Sequence, residues 1–264
     1  MHNTGEPWHL PGFDGDLGGG AGAEAHRGRT PGGREVRTPR LDAGAARGVA
    51  DAVRSAALEA REERATREVA GAVSRAALRL GDPATDSGAR AVELLEEELG
   101  WTADLARETL AGMADSWTED ALLELLDREL GGPEVVDGFV DAPLPGEGGE
   151  RRRRAVGPPL LFVVHAGNVP GVAVTAAVRG LLVRSGVLCK APEEEPGLLA
   201  LFAGELARED ALLGRSLATT WWPGGSDDPA EGAWLDRCGT AVVYGGEAAV
   251  RAVRSRLPAG RELV

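Results

Sequence analysis

Asn168 and Lys190 are the two residues of this sequence whose types and positions best suit chemistry on a bound ligand. Asn168 lies in the turn HAGNVPG after one apolar run, and Lys190 ends a second apolar run, GVLCK. An asparagine amide at the start of a helix can stabilise a developing oxyanion, or it can simply cap the helix. A lysine at the end of a buried strand can bind the ribose or phosphate oxygens of a nucleotide, or it can be an ordinary surface charge. Local sequence leaves both pairs of alternatives open.

Composition draws further attention to these residues. The chain contains 28 Arg but a single Lys, and it has no Ile and no Gln. Such a bias substitutes arginine for lysine wherever either residue serves, so a rare residue that is retained indicates a position where the substitute fails. Lys190, the single Tyr244 and Asn168, the one Asn outside the N-terminal leader, fall close together in the chain. This clustering favours a functional site in the C-terminal part over a chance distribution.

Glycine pairs follow two further apolar runs. Gly224 and Gly225 lie in WWPGG, and Gly245 and Gly246 lie in VVYGG. Glycine permits close approach of a ligand to the backbone, and Gly246 opens a predicted helix whose N-terminus suits a pyrophosphate. As plain turns these pairs would be unremarkable. No G-x-G-x-x-G follows the first strand, so the ordinary dinucleotide fingerprint is absent.

The elements that position these residues alternate between strand and helix. PLLFVVHAG, GVLCKAP, SLATTWWPGG and TAVVYGG are predicted strands, and each is followed by an amphipathic or apolar helical stretch. Such alternation predicts right-handed βαβ units in a parallel sheet. The predicted fold class is therefore α/β: a parallel Rossmann-like sheet with flanking helices, preceded by a helical region. In such sheets ligands bind at the carboxyl ends of the strands.

The chain divides into four parts by composition. Residues 1–40 form a Gly-rich leader that is predicted to be disordered, because it has too few apolar residues to offset the entropy of ordering. Residues 41–142 carry helical periodicity and form a helical N-terminal region, and 143–157 is a linker rich in Pro, Gly and Arg. Residues 158–264 form the nucleotide-cofactor-binding α/β domain.

Charge and cysteine content exclude several classes of function. A net charge of −13 and a pI near 4.9 argue against a nucleic-acid binder. The basic run Arg151 to Arg154 is interpreted as a solvated linker, or else as a contact for an anion or a partner. No apolar stretch reaches the length of a membrane span. Cys189 and Cys238 with one histidine, His165, outside the leader do not make a zinc site. A soluble, cytoplasmic protein without a metal is expected.

HAGNVPG, LCKAPEEEP, WWPGG and VVYGGEAAVRAVR together resemble the LuxC-type acyl-CoA reductases, a branch of the aldehyde dehydrogenase superfamily. The resemblance covers roughly residues 85–258. It implies an aldehyde dehydrogenase-like cofactor domain and NADPH-dependent reduction of a long-chain fatty acyl-CoA or acyl-enzyme thioester to the aldehyde. In that chemistry a cysteine thiolate attacks the thioester, and the acyl-enzyme accepts hydride. The resemblance also implies a homo-oligomer, or an acyl-transferase or synthetase partner.

The resemblance assigns roles to the candidate residues. Asn168 matches the oxyanion-stabilising asparagine, Lys190 the lysine on the adenosine ribose, and the glycines of YGG the turn that packs against the pyrophosphate. The full set of implied cofactor-binding residues is His165, Val169, Pro170, Lys190, Glu193, Gly224, Gly225, Gly245 and Gly246. Carboxylates at 193–195 would accept a hydrogen bond from a free 2′-hydroxyl and repel a 2′-phosphate, so NADH stays open beside NADPH.

One departure from the family pattern limits the expected activity. The family's nucleophilic cysteine lies well downstream of the YGG strand, whereas Cys189 and Cys238 both precede it and are predicted to be core residues. The chain is therefore expected to be an N-terminal fragment that carries the cofactor-binding part and is inactive alone. The alternatives are a non-catalytic nucleotide-binding or interaction module derived from the same superfamily, and a glutamyl-phosphate-type reductase.

Overall fold

The structure is a computed structural model that describes residues 6–13, 24–142, 151–165 and 169–264. The strands are β1 (Ala25–Arg29), β2 (Glu35–Pro39), β3 (Val140–Asp141), β4 (Arg152–Arg153), β5 (Leu160–His165), β6 (Gly186–Lys190), β7 (Leu217–Thr220), β8 (Thr240–Tyr244) and β9 (Glu262–Leu263). The helices are α1 (Ala43–Glu63), α2 (Thr66–Gly81), α3 (Asp86–Leu99), α4 (Ala103–Asp115), α5 (Glu119–Leu130), α6 (Glu134–Asp137), α7 (Val172–Leu182), α8 (Gly197–Glu209), α9 (Ala211–Arg215), α10 (Pro229–Arg237) and α11 (Glu247–Arg256).

A five-stranded parallel sheet forms the centre of the C-terminal half, which confirms the predicted α/β fold. Its strand order is β7-β6-β5-β8-β9. The chain moves outward from β5 through β6 to β7, and it then crosses back to place β8 on the other side of β5. This reversal makes the carboxyl ends of β5 and β8 the topological switch point, where parallel sheets leave a crevice for ligands.

The central strands are apolar along their whole length because both faces of the sheet are covered. Alternate residues of β5 point to opposite faces: Phe162 belongs to the core beneath α1 and α10, and Val163 to the core beneath α2, α7 and α8. Under α10, Phe162 lies edge-on to Trp234 with ring centroids 5.5 Å apart, and Trp234 lies edge-on to Trp222 at the same distance. These fully buried aromatic rings hold the first face of the sheet together.

The helices of the N-terminal half pack over both faces of the sheet. Residues 43–81 form two helices, α1 and α2, which break at residues 64–65. Helix α1 packs on the sheet itself, while α2 packs on α4, α5 and α8. The helical region therefore contributes to the core on both faces of the sheet. Among the described residues, the helices lack the combination of length and hydropathy that a membrane span needs.

Part of the segment predicted to be disordered forms a hairpin. Strands β1 and β2 pair antiparallel between residues 25 and 39. Gly28 lies against the Trp221 ring, and the Thr38 hydroxyl donates to the Trp221 carbonyl at 2.6 Å. Nearby, His9 pairs with Thr219 on the outer edge of β7. These contacts come from residues nearly 200 positions away, so local composition did not reveal them. In the predicted linker, β4 likewise pairs with β3.

Thr85 caps helix α3. Its hydroxyl accepts the Gly88 N–H at 2.9 Å and donates to the Arg79 carbonyl at 2.6 Å. Thr85→Ala is expected to lower the free energy of unfolding by about 1 kcal/mol, because an orphan helix N–H loses its acceptor. Urea denaturation measures this, with Asp86→Ala as the control. Equal losses for the two variants would contradict the assignment of the cap.

Candidate functional site

The carboxyl ends of three adjacent strands bring the predicted site residues together. Val164 on β5 pairs with Lys190 on β6, and His165 on β5 pairs with Tyr244 on β8. Lys190 and His165 are close enough that the ammonium charge helps to lower the pKa of the imidazole. The structure therefore places Lys190 and His165 together at one edge of the sheet, as the sequence predicts.

Lys190 is a buried cation rather than a surface lysine. Its exposed fraction is 6%, and its ammonium lies 5.9 Å from the centre of the Trp222 ring. Within the described part of the chain it has no ion pair and no hydrogen bond. Burial lowers the pKa of the ammonium, and the more distant carboxylates of Glu193 and Glu231 oppose that shift. A buried charge without a direct partner is costly, so a ligand that supplied oxygen acceptors would relieve that cost.

His165 forms one wall of the crevice in its neutral form. Its ring stacks on Tyr244 with centroids 5.2 Å apart and planes within 5° of parallel. The residue is 1% exposed, and its Nε2 atom has no hydrogen-bond partner among the described residues. Burial first, and then the charge of Lys190, lowers the pKa of the imidazole to about 4. His165 is thus uncharged at neutral pH and cannot serve there as a ready acid.

The start of α7 lies beside two of the implied cofactor-binding residues, Val169 and Pro170. Gly171, with φ of +75°, is the N-cap of α7, so Pro170 precedes the cap and is not the first helical residue. A glycine suits this left-handed backbone because it has no Cβ. Val169 is 59% exposed and Pro170 is half-buried. Asn168, the predicted oxyanion-stabilising residue, lies outside the described residues.

The remaining predicted residues lie on exposed backbone around the crevice. Glu193 is exposed, and its Oε2 atom is 3.8 Å from where a Cβ on Gly224 would stand. Gly225 has φ of +74°, which explains the second glycine of that turn. Gly246 is the N-cap of α11, and Gly245 beside it is exposed. A Cβ on Gly246 would meet no described atom within 4 Å. The backbone here is open to a ligand.

Glu195 does not belong with Glu193 as a candidate for contact with a ribose. The Glu195 side chain is 3% exposed and accepts the Gly171 N–H at 3.1 Å and the Leu198 N–H at 3.2 Å. It therefore points into the protein, between the starts of α7 and α8. Of the three carboxylates that follow Lys190, Glu193 is the exposed one and Glu194 is half-buried.

Sequence reasoning missed two aromatic residues that shape the crevice. Trp222 lies under the Lys190 ammonium, and its indole N–H donates to the Glu231 carboxylate at 3.3 Å. Tyr244 stacks on His165. Tyr244 was noted only as a rare residue, and the Trp221-Trp222 pair only as part of a strand end. The adjacent Trp221 and Trp222, in a chain with six tryptophans, were the available signal.

Neither cysteine is placed to act as a nucleophile. Cys189 and Cys238 are both fully buried, and burial raises the pKa of the Cys238 thiol to about 11 and that of the Cys189 thiol further still. Because the thiolate is the reactive form, both thiols are structural. This confirms their predicted place in the core.

Thiol labelling tests that conclusion. Native protein is expected to show almost no reaction with a thiol reagent such as dithionitrobenzoate over minutes, and both thiols should react once the chain is unfolded in guanidinium. Rapid labelling of one thiol in the native protein, mapped by mass spectrometry, would contradict the burial of that residue.

Solved structures of aldehyde dehydrogenases share this fold. An NAD-dependent benzaldehyde dehydrogenase from Corynebacterium glutamicum aligns with a TM-score of 0.71 at 17% identity, over 98% of this chain and 53% of that one. A lactaldehyde dehydrogenase from Escherichia coli aligns with the same TM-score and identity, over 98% of this chain and 51% of its own length. The chain thus spans about half the length of these structures. At such identities the likeness concerns the fold alone.

Sequence comparison identifies the family. A long-chain acyl-protein thioester reductase from Vibrio harveyi is 27% identical over 135 residues, which is 50% of this chain and 27% of that protein. The chain therefore matches about a quarter of the relative's length. The profile of the acyl-CoA reductase (LuxC) family matches residues 62–264, which includes the whole sheet and the crevice. This chain belongs to the acyl-CoA reductase (LuxC) family.

Proposed function

We propose that residues 158–264 bind a nicotinamide dinucleotide and form the cofactor-binding part of an enzyme that reduces a fatty acyl-CoA or acyl-enzyme thioester to the aldehyde. The observation that carries this proposal is the Lys190 ammonium, which is buried without a direct partner in the described part of the chain and lies at the carboxyl end of β6, next to the switch-point strand β5. The names of the relatives agree with it, since they include thioester reductases and NAD-dependent dehydrogenases.

The residues of the crevice fit such a cofactor. The Lys190 ammonium would donate to ribose or phosphate oxygens, and the start of α11 at Gly246 offers open backbone for the pyrophosphate. The orphaned Nε2 of His165 is a further polar atom that a ligand could satisfy. The bound nicotinamide would supply hydride. Asn168, carried over from the family, would donate its amide N–H to the oxygen of the acyl group as charge develops there.

The choice between NADPH and NADH depends on two opposing charges. Lys190 attracts a 2′-phosphate, whereas Glu193, exposed at the same edge of the sheet, repels it. We propose NADPH as the cofactor, with NADH as the alternative. Structures of the same fold include both an NAD-dependent enzyme and an NADP-dependent one.

Calorimetric titration tests the proposed binding. Saturable binding of NADPH or NADH is expected, with 2′,5′-ADP and 5′-AMP as shorter probes of the adenosine end. If neither dinucleotide binds with a dissociation constant below about 1 mM, which corresponds to roughly −4 kcal/mol, the proposal is contradicted. A preference for 2′,5′-ADP over 5′-AMP would assign the cofactor as NADPH, and the reverse would assign NADH.

Turnover by the 264-residue chain tests the second half of the proposal. With dinucleotide and a long-chain acyl-CoA it is expected to form no aldehyde, because both of its thiols are buried. A carbonyl-trapping reagent would detect the product. Aldehyde that disappears in the Cys189→Ser or Cys238→Ser variant would show that one of these thiols does reach the thioester.

The same burial of both thiols favours a second candidate, a nucleotide-binding module without chemistry of its own. The two candidates share the cofactor site and differ in what the site serves. If NADPH and NADH bind no more tightly than AMP, the nicotinamide half contributes nothing and the module is favoured. Tighter binding of the intact dinucleotide favours the reductase.

A further inference from the structure

Two buried carboxyl groups lie at the start of α8. Glu98 at the end of α3 is 0% exposed and Glu195 is 3% exposed. Glu98 accepts the Gly197 N–H at 3.2 Å, and Glu195 accepts the next N–H of α8, that of Leu198, at the same distance. The two carboxyls therefore meet at the start of one helix. Neither belongs to the proposed ligand contacts.

Glu195 also reaches a second helix. Its other oxygen accepts the N–H of Gly171, the N-cap of α7, at 3.1 Å. On its other side Gly171 lies so close to Met113 of α4 that a Cβ would overlap the methionine side chain. The N-cap residue of α7 is thus fixed between a thioether and a carboxyl. Val169 and Pro170 precede it in the chain.

We propose that Glu195 is a positioning residue, which fixes the start of α7 and with it Val169 and Pro170, two of the implied cofactor-binding residues. This inference rests on the proposed function, because the position of these residues matters only if the crevice holds a dinucleotide and an acyl group. Glu195 would touch neither ligand. It acts on the backbone N–H of Gly171, three residues beyond Asn168 in the chain.

The surroundings of the pair make this positioning depend on a proton. Arg34 of the β1–β2 turn pairs with Glu98 and lies 3.6 Å from Glu97, and Arg90 adds a weaker positive field at Glu98. No cation in the described part of the chain pairs with Glu195 itself. Burial, together with the charge of Glu98, raises the pKa of Glu195 to about 8. Burial raises the pKa of Glu98 to about 7. Ionisation of both carboxyls would leave two negative charges for one guanidinium, so the pair should hold one proton at neutral pH.

Selective isotope labelling can read both carboxyls directly. The sequence contains six Pro-Gly pairs, at Gly12, Gly32, Gly146, Gly171, Gly197 and Gly224. Protein labelled with carbonyl-¹³C proline and ¹⁵N glycine therefore shows only these six amides in a carbonyl-edited spectrum. Gly171 reports on Glu195, and Gly197 reports on Glu98. The chemical shifts would be followed from about pH 5 to about pH 9.

The chemical shift of the Gly171 amide is expected to change with pH, with a midpoint near the pKa of Glu195. This change should be absent in Glu195→Gln. The matched control is Glu205→Gln, which removes another buried carboxyl of α8 that bonds Ser87 and Arg79 instead. The control should leave the Gly171 titration unchanged. A Gly171 amide that does not titrate in the wild type, or that titrates equally in Glu195→Gln, would overturn the proposal.

Cofactor affinity supplies the second readout. Glu195→Ala is expected to weaken dinucleotide binding about fivefold, the effect of about one lost hydrogen bond, while Glu205→Ala leaves it unchanged. Equal affinities in wild type and Glu195→Ala, with the fold intact, would remove the link from Glu195 to the crevice. If the wild type binds no dinucleotide, the proposed function fails, and the amide titration still decides whether Glu195 holds Gly171.

Discussion

Replacing Lys190 by methionine is expected to weaken dinucleotide binding at least tenfold while leaving the free energy of unfolding unchanged or raised. Charge-assisted hydrogen bonds contribute about 1.5–3 kcal/mol, which corresponds to roughly ten- to a hundredfold in affinity. In the free protein the ammonium is buried without a direct partner among the described residues. Methionine fills a similar volume without that burial cost. Calorimetry measures the affinity, and urea denaturation the stability.

This opposite response of binding and stability separates a ligand-binding lysine from a structural one. Arg75→Met serves as the control, because Arg75 lies on α2 and pairs with Glu209, far along the chain from the crevice residues. It should not change the affinity. If Lys190→Met binds the dinucleotide as well as the wild type does, the lysine is not part of the site. A loss of stability together with a loss of binding would instead assign it a structural role.

Stability should also depend on pH through the Glu98–Glu195 pair. The pKa of Glu195 is raised from 4.5 to about 8, so between these values the folded state holds a proton that the unfolded chain releases. The free energy of unfolding contributed by this group is therefore full below about pH 4.5 and falls as the pH rises through about 8. The loss is of the order of a few kcal/mol. Glu98, with a pKa of about 7, contributes in the same direction.

Glu195→Gln isolates this contribution from the other titrating groups. The variant should be less stable than the wild type near pH 5, because glutamine has one acceptor oxygen where the carboxyl holds two N–H groups. The difference in free energy of unfolding between the variant and the wild type should become smaller towards pH 9. The wild type loses stability as Glu195 ionises, whereas the glutamine amide does not ionise. Urea denaturation across this range measures the difference. A Glu195→Gln deficit in the free energy of unfolding that stays constant or widens towards pH 9 would contradict the account.

The sheet could be predicted from sequence because its signals are local. Apolar runs of strand length, such as LLFVVH and GVLC, alternate with helical stretches, and each buried strand ends at a turn. The β1–β2 hairpin could not be predicted in the same way. Its ordering depends on Trp221, which supplies the packing for Gly28 and the acceptor for Thr38. The composition of residues 25–39 alone does not indicate that they pack against Trp221.

The site residues likewise include some that could be predicted from local sequence and some that could not. Lys190 could be placed at the sheet edge because it ends a strand, and its rarity marked it. The different exposure of Glu193 and Glu195 could not be predicted from sequence, since both are glutamates in one acidic run. Glu193 is exposed, whereas Glu195 turns inward because the unsatisfied N–H groups of Gly171 and Leu198 lie within its reach. Only the packing of α7 against α8 decides that difference.

Hydrogen–deuterium exchange with and without saturating NADPH tests the central claim most directly, because it reports where the dinucleotide binds. Protection is expected in peptides that cover the carboxyl ends of β5, β6 and β8, at residues 160–172, 186–194 and 240–248. It should be reduced in Lys190→Met. Protection confined to another surface, such as the groove between α5 and α7 near Leu125 and Arg179, or no protection at a concentration that saturates binding, would contradict the account.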